Sequence, residues 1–137
     1  MDGPGIIRDE TGAQRLLGYV VDISEQDGKG RCVLDIGPQH GNRHGGLHGG
    51  IIACMLDNAM GYAAALSADP KGQTKFLTIS MSTQFIGAVK EGRIVATGTV
   101  TGGGRKIVFV DGELRGEDGR LLATASGAFK RVPGQDT

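Results

Sequence analysis

The stretch from Asn42 to Leu66, NRHGGLHGGIIACMLDNAMGYAAAL, opens as a glycine-rich loop and becomes the one long uninterrupted apolar-periodic segment of the chain. At 100° per residue it divides into two unlike faces. Ile51, Ile52, Met55, Ala59, Tyr62, Ala63 and Leu66 gather on one side, with enough bulk to bury against a sheet. Gly50, Ala53, Cys54, Asp57, Gly61 and Ala64 gather on the other, and nearly all are small. A helix that is apolar all round reads as a buried one. Asp57 is then a carboxylate in an apolar setting, with no basic residue one turn to either side. Burying an unpaired charge is costly, so such a group is neutralised, paired from elsewhere, or kept for chemistry.

A single buried helix needs a cover, and the flanking segments supply strands. Residues 17–25 and 31–36 read as two strands joined by the turn signal of residues 26–30. The helix is expected from about His48 to Ser67, where Asp69-Pro70-Lys71-Gly72 stops it. Residues 76–86 alternate, with Leu77, Ile79, Met81 and Phe85 on one face and Thr78, Ser80, Ser82 and Gln84 on the other, the pattern of a strand with one buried face. Further strands follow at 93–101, 105–115 and 120–131, separated by Gly102-Gly103-Gly104 and by Glu117-Asp118-Gly119. Two strands, one long helix and four strands in a meander contain no βαβ alternation, which argues against a parallel doubly wound sheet. The expected class is α+β: an antiparallel sheet of five to six strands wrapped around one central helix. The small flank of that helix and the outer sheet face point to an oligomer.

The length, 137 residues, fits one domain spanning 1–137, with polar Gly- and Pro-bearing tails at 1–13 and 133–137 expected to fray. Fifteen basic and fifteen acidic side chains leave no net field to draw the chain to nucleic acid or a membrane. The helix has only about 19 apolar-dominated positions and carries Asp57 and Asn58, so it reads as a core helix, not a membrane span. Two cysteines, one on the helix and one in a strand, together with an N-terminus that lacks a basic region and apolar run, lead to an expectation of reduced thiols and a cytoplasmic protein.

The pattern N-x5-H-G-G-x6-D, carried by Asn42, His48, Gly49, Gly50 and Asp57 on a loop leading into a helix, resembles the hotdog-fold acyl-CoA thioesterases, specifically their PaaI-like, phenylacetate-pathway branch. The resemblance extends from the first strand to about Arg131 and includes the element order. It implies a hotdog fold and hydrolysis of an acyl- or aryl-acyl-CoA thioester to the free acid and coenzyme A. It also implies a homo-oligomer, dimer or dimer of dimers (a homotetramer), with sites between subunits. By the same resemblance the Gly49 N–H is the oxyanion donor, and Asp57, two turns further on, sits across the acyl group as general base or nucleophile. Asn42 orients water or the thioester, His48 accompanies the glycine, and Thr78 hydrogen-bonds the attacking water. Gly50, Gly104, Arg105 and Lys106 are the implied contacts to coenzyme A, with Lys130 and Arg131 as weaker candidates. No cofactor is implied beyond the coenzyme A of the substrate. The chemistry suits the positions: thioester hydrolysis builds negative charge on the carbonyl oxygen, and amides at a helix start lack intrahelical partners and meet a positive dipole end.

Other constellations carry less. His40, His44 and His48 recur at spacing four, but Pro38, Gly41, Gly45 and Gly46 make that stretch a poor helix, so no metal is expected. The glycine-rich loop has no G-K-[ST] and is not a phosphate loop. A hotdog dehydratase or hydratase is the alternative enzyme, and its His-Phe-Pro context is absent. A non-catalytic acyl-CoA binding protein usually adds a DNA-binding segment, and the residues before the first expected strand are too few for a helix-turn-helix.

Overall fold

The computed structural model describes residues 1–134. Seven strands form one antiparallel sheet: β1 (Ile6–Ile7), β2 (Val20–Asp22), β3 (Gly30–Asp35), β4 (Phe76–Phe85), β5 (Arg93–Gly103), β6 (Ile107–Arg115) and β7 (Leu121–Arg131). A short helix α1 (Gly12–Leu17) precedes β2, and the long helix α2 (Gly49–Ala68) separates β3 from β4. The spatial order is β1-β2-β3-β5-β6-β7-β4. The chain thus has one strand more than the five to six expected, the extra one being the two-residue β1. The last four strands are also not one meander, because β4 pairs with β7 and forms an edge, while β5 crosses back to pair with β3.

The N-terminal segment departs from the expected frayed tail. Ile6 and Ile7 pair with Asp22 and Val21. Residues 12–17, partly assigned to a strand from sequence, form α1 because Thr11 accepts from the Gln14 amide and Gly18 ends the helix at φ +85°. The buried Gln14 side chain then donates to the carbonyls of Ile7 and Tyr19, tying tail, α1 and β2 together. Within the expected C-terminal tail, residues 135–137 lie outside the described residues.

Helix α2 seats on the concave face of the sheet through Ile52, Met55, Leu56, Ala59, Met60, Ala63 and Ala64, all buried. Glycines in the strands let it come close. A Cβ on Gly30 would lie 2.2 Å from the Ala59 carbonyl oxygen, and one on Gly98 2.6 Å from the same atom. The buried stripe is rotated from the expected one: Ala64 is inside, whereas Tyr62 and Ile51 are only half-buried. Nor is α2 covered all round, since Ala53, Cys54, Asp57, Asn58 and Gly61 on its outward face are half-buried. The sheet reaches around one side of the helix only.

Strand β4 carries the main departure from simple alternation. Thr78 pairs with Phe129 and Ser80 with Ala128, leaving Ile79 in a bulge. The bulge reverses which side chains face α2. Met81, Thr83 and Phe85 stand opposite the inward-facing Gly127, Ala125 and Ala123, but before the bulge it is Phe76 and Thr78 that share their face. Leu77 and Ile79, expected on the buried face, are 64% and 54% exposed.

Candidate active site

His48 caps α2: its backbone is extended, and its ring Nδ1 accepts the Gly50 amide at 2.8 Å. The amides of Ile51 and Ile52 both donate to the His48 carbonyl. Among the described residues the Gly49 N–H alone of these opening amides makes no hydrogen bond. It is the one donor that the positive end of α2 offers outward. Gly50, expected to touch coenzyme A, has its amide engaged by His48, and the ring stands 3.0 Å from where a Gly50 Cβ would be. The ring of Phe85, 58% exposed, lies beside Gly49, its Cε1 3.4 Å from an ideal Cβ there. The alternation of residues 76–86 predicts a core-facing Phe85. Its position at the end of β4, next to a glycine it had to meet in space, gave no local signal of this proximity.

Asn42 folds the loop before the helix. Its Oδ1 accepts the amides of His44 and Gly46, and its backbone amide donates to the Gly46 carbonyl. With Oδ1 so engaged, the side-chain amide group is held in one orientation, and it presents donors. His40, four residues before His44, is buried: Nδ1 accepts the Gly37 amide, so the contact between Nε2 and the Leu17 carbonyl at 2.7 Å is a donation from the ring. The His40 carbonyl in turn accepts the His48 amide, linking α1 to the start of α2. The three histidines therefore sit in three different settings instead of one helix face.

Asp57 lies in the middle of α2, half-buried, and Thr78 Oγ1 donates to its Oδ1 at 2.6 Å. The structure thus brings together two of the residues singled out from sequence, and the bulge in β4 is what turns Thr78 toward the helix. Asp57 makes no ion pair among the described residues. Its negative charge adds to burial, the larger cause, in pushing the Cys54 thiol up from its ordinary range, so Cys54 remains a protonated thiol. Asp57 and Thr78 line one side of a cleft of about 1050 Å³ between α2, the start of β4, residues 4–11 and the loop 70–75. Across that cleft the Tyr62 hydroxyl of α2 donates to Oε1 of Glu10 in the N-terminal segment at 2.5 Å, and burial and the neighbouring carboxylate keep the phenol protonated by raising its pKa. From sequence Tyr62 is expected on the buried face of the helix and Glu10 in the N-terminal tail, and their contact spans 52 positions.

The candidate catalytic groups do not all meet within one chain. Asp57 is eight residues beyond Gly49, a separation of about 12 Å along a helix that rises 1.5 Å per residue. A side-chain carboxylate cannot span that distance to serve the same carbonyl. Gly104, Arg105 and Lys106 form the turn between β5 and β6. Pairings of Gly103 with Val108, Val108 with Phe129 and Phe129 with Thr78 put this turn at the same end of the sheet as Thr78, three strands away. At the usual spacing that is about 14 Å.

Comparison with known proteins agrees with this architecture. The model of the thioesterase superfamily matches residues 44–123, more than half of the chain, and the chain belongs to that superfamily. A search of curated proteins finds no significant match. Among solved structures the chain is similar to the conserved protein PA5202 from Pseudomonas aeruginosa, at 27% identity over 89% of this chain and 94% of that one, with a TM-score of 0.79. It is similar also to the E. coli PaaI protein of the phenylacetic acid degradation operon, at 19% identity over 91% and 87% of the two chains and a TM-score of 0.78. Thioesterase HI1161 from Haemophilus influenzae matches at 16% identity over 93% and 89%, with a TM-score of 0.81. The fold is the hotdog fold of these proteins, and the chain is a thioester hydrolase.

Proposed function

We propose that the chain hydrolyses an acyl-CoA thioester in a homo-oligomer, at sites that take Gly49 from one copy and Asp57 from another. The observation that carries this reading is the separation of about 12 Å along α2 between an outward-facing free amide and a carboxylate held by Thr78. A second copy related by a two-fold axis would bring each of these groups to the other's complement. Strand β4 supports the same assembly. Its ten residues, FLTISMSTQF, form a sheet edge without a charge or a proline, the kind of edge that pairs with another strand.

In this reading the Gly49 N–H and the Asn42 side-chain amide donate to the thioester oxygen as it becomes an oxyanion. His48 contributes by holding Gly50, so that the Gly49 amide stays aimed outward. Asp57, with Oδ1 fixed by Thr78, takes a proton from water through Oδ2 while the water oxygen bonds to the carbonyl carbon. The tetrahedral intermediate then expels the sulfur, and the proton on Asp57 passes to the departing thiolate, giving acid and coenzyme A. Arg105 and Lys106 contact the nucleotide phosphates.

The test uses two inactive variants. Gly49→Pro removes the amide hydrogen at a helix position that tolerates proline, and the extended backbone of His48 suits a residue before proline. Asp57→Asn removes the base. Each alone should release little thiol from acyl-CoA esters, whereas oligomers re-formed from a mixture should regain activity, because mixed pairs contain one complete site. Failure of the mixture to exceed either parent, with mixed oligomers present, would overturn the shared site. A single turnover in 18O-labelled water checks the role of Asp57: label confined to the released acid supports a base, and label in the Asp57 carboxylate identifies a nucleophile.

A further inference from the structure

The cleft that starts at Asp57 and Thr78 extends along α2 toward its C-terminal end, and one residue on its floor lacks any explanation within the chain. Gly61 follows Asp57 by one helical turn and Ala65 follows by two, so the three share one row of the helix surface. Glycine in a helix interior lowers stability relative to alanine. The strand glycines facing α2 have a packing reason, as Gly112 shows: a Cβ there would be 2.7 Å from Met60 Sδ. Gly61 has none. A Cβ on it would meet only Phe129 Cε2 at 3.8 Å, an ordinary contact, and its φ is not in the left-handed region. What a side chain at position 61 would occupy is the cleft itself.

We propose that Gly61 is a specificity-determining residue that keeps this cleft open for the acyl group of the substrate, and that the chain favours acyl groups long enough to lie along α2 past it. The inference rests on the thioesterase reading above and goes further by assigning the acyl arm to this cleft. Next to Gly61 the walls are the rings of Phe76, Phe129 and Tyr62, which suit an apolar chain. The carboxylate of Glu10, latched to Tyr62, stands at the far wall and disfavours a phosphate there, although Lys71 and Lys75 lie on the lip. The row from Asp57 to Ala65 is about 12 Å long, which sets the reach available to the acyl tail.

The experiment compares kcat/KM for octanoyl-CoA and acetyl-CoA in the wild type, Gly61→Ala, Gly61→Leu and Ala65→Leu, with inhibition by free coenzyme A measured alongside. The octanoyl-to-acetyl ratio should fall at least about tenfold in Gly61→Leu, consistent with the discrimination a few methylenes give in an apolar pocket. A smaller fall is expected in Gly61→Ala, and the coenzyme A inhibition constant should hold. Ala65→Leu, further from the chemistry, supplies the same readout if Gly61→Leu fails to fold. An unchanged ratio in the folded variants, or a coenzyme A constant that rises in step with the loss, would overturn the assignment while leaving thioester hydrolysis standing. A wild-type enzyme silent toward every acyl-CoA would instead remove the reading on which it rests.

Discussion

The two faces of α2 obey different rules. On the inward face the strand glycines Gly30 and Gly98 admit the helix backbone around Ala59, and Met55, Leu56, Ala59 and Met60 are fully buried. On the outward face Ala53, Cys54, Asp57 and Gly61 are half-exposed, an amide and a carboxylate wait about 12 Å apart, and a helical glycine has space around it. One face is complete as a single chain, and the other is the face on which the proposed shared site and acyl cleft rest. The contrast teaches that smallness is explained by close packing on the inward face, whereas on the outward face a Cβ at Gly61 would meet only an ordinary contact.

The comparison can be broken most decisively at the outward charges and dipoles. Asp57→Asn should lower kcat by about 10²–10⁴-fold, and Gly49→Pro by about 10²–10³-fold, in thiol-release assays with native mass unchanged. A near-normal rate in either would move that group out of the chemistry. Next comes assembly. Lysines at both Ser80 and Ser82 put charge on the β4 edge, and light scattering should report a smaller particle with activity lost in proportion. An unchanged mass would place the interface elsewhere.

Smaller effects sharpen the distinction. Arg105→Ala should raise KM for acyl-CoA roughly tenfold, in line with a hydrogen bond to a charged group, and leave KM for a short thioester without the nucleotide nearly unmoved. Equal effects on both would reject a phosphate contact. Thr78→Val should slow turnover about tenfold while Thr78→Ser stays close to wild type, since only the hydroxyl reaches Asp57. In thermal melts the two faces should respond with opposite sign. Gly98→Ala forces a Cβ to 2.6 Å from the Ala59 carbonyl oxygen and should cost about 1–3 kcal/mol. Gly61→Ala should be neutral or stabilise by up to about 1 kcal/mol. A destabilised Gly61→Ala would mean that packing, not kept space, explains that glycine.

Much of the fold was legible along the chain. The 3.6-residue period of 51–66 placed α2 within one residue of its observed ends, and strands β5, β6 and β7 follow from their turn glycines. The N-terminal segment was not legible, because two isoleucines and a six-residue helix are too short to carry periodicity, and the buried Gln14 acts through partners on both sides of it. Of the candidate site, Asp57 was marked by its apolar setting on the helix, and Gly49 by the family resemblance of the loop that leads into it. The pairing of Thr78 with Asp57 depended on Ile79 dropping out of register, which an alternating sequence hides. Phe85 beside Gly49 and Glu10 beside Tyr62 are contacts across 36 and 52 positions, set by how segments fold back on one another.

By itself the sequence determined that one apolar helix would be wrapped by antiparallel strands, and that its carboxylate and its glycine-led start were unusual, since period and residue type are local properties. Only the tertiary structure decided the sheet order, the bulge that turns Thr78 inward, and which flank of α2 stays uncovered. Those depend on register and on the approach of distant segments, where a slip of one residue in β4 exchanges one face for the other.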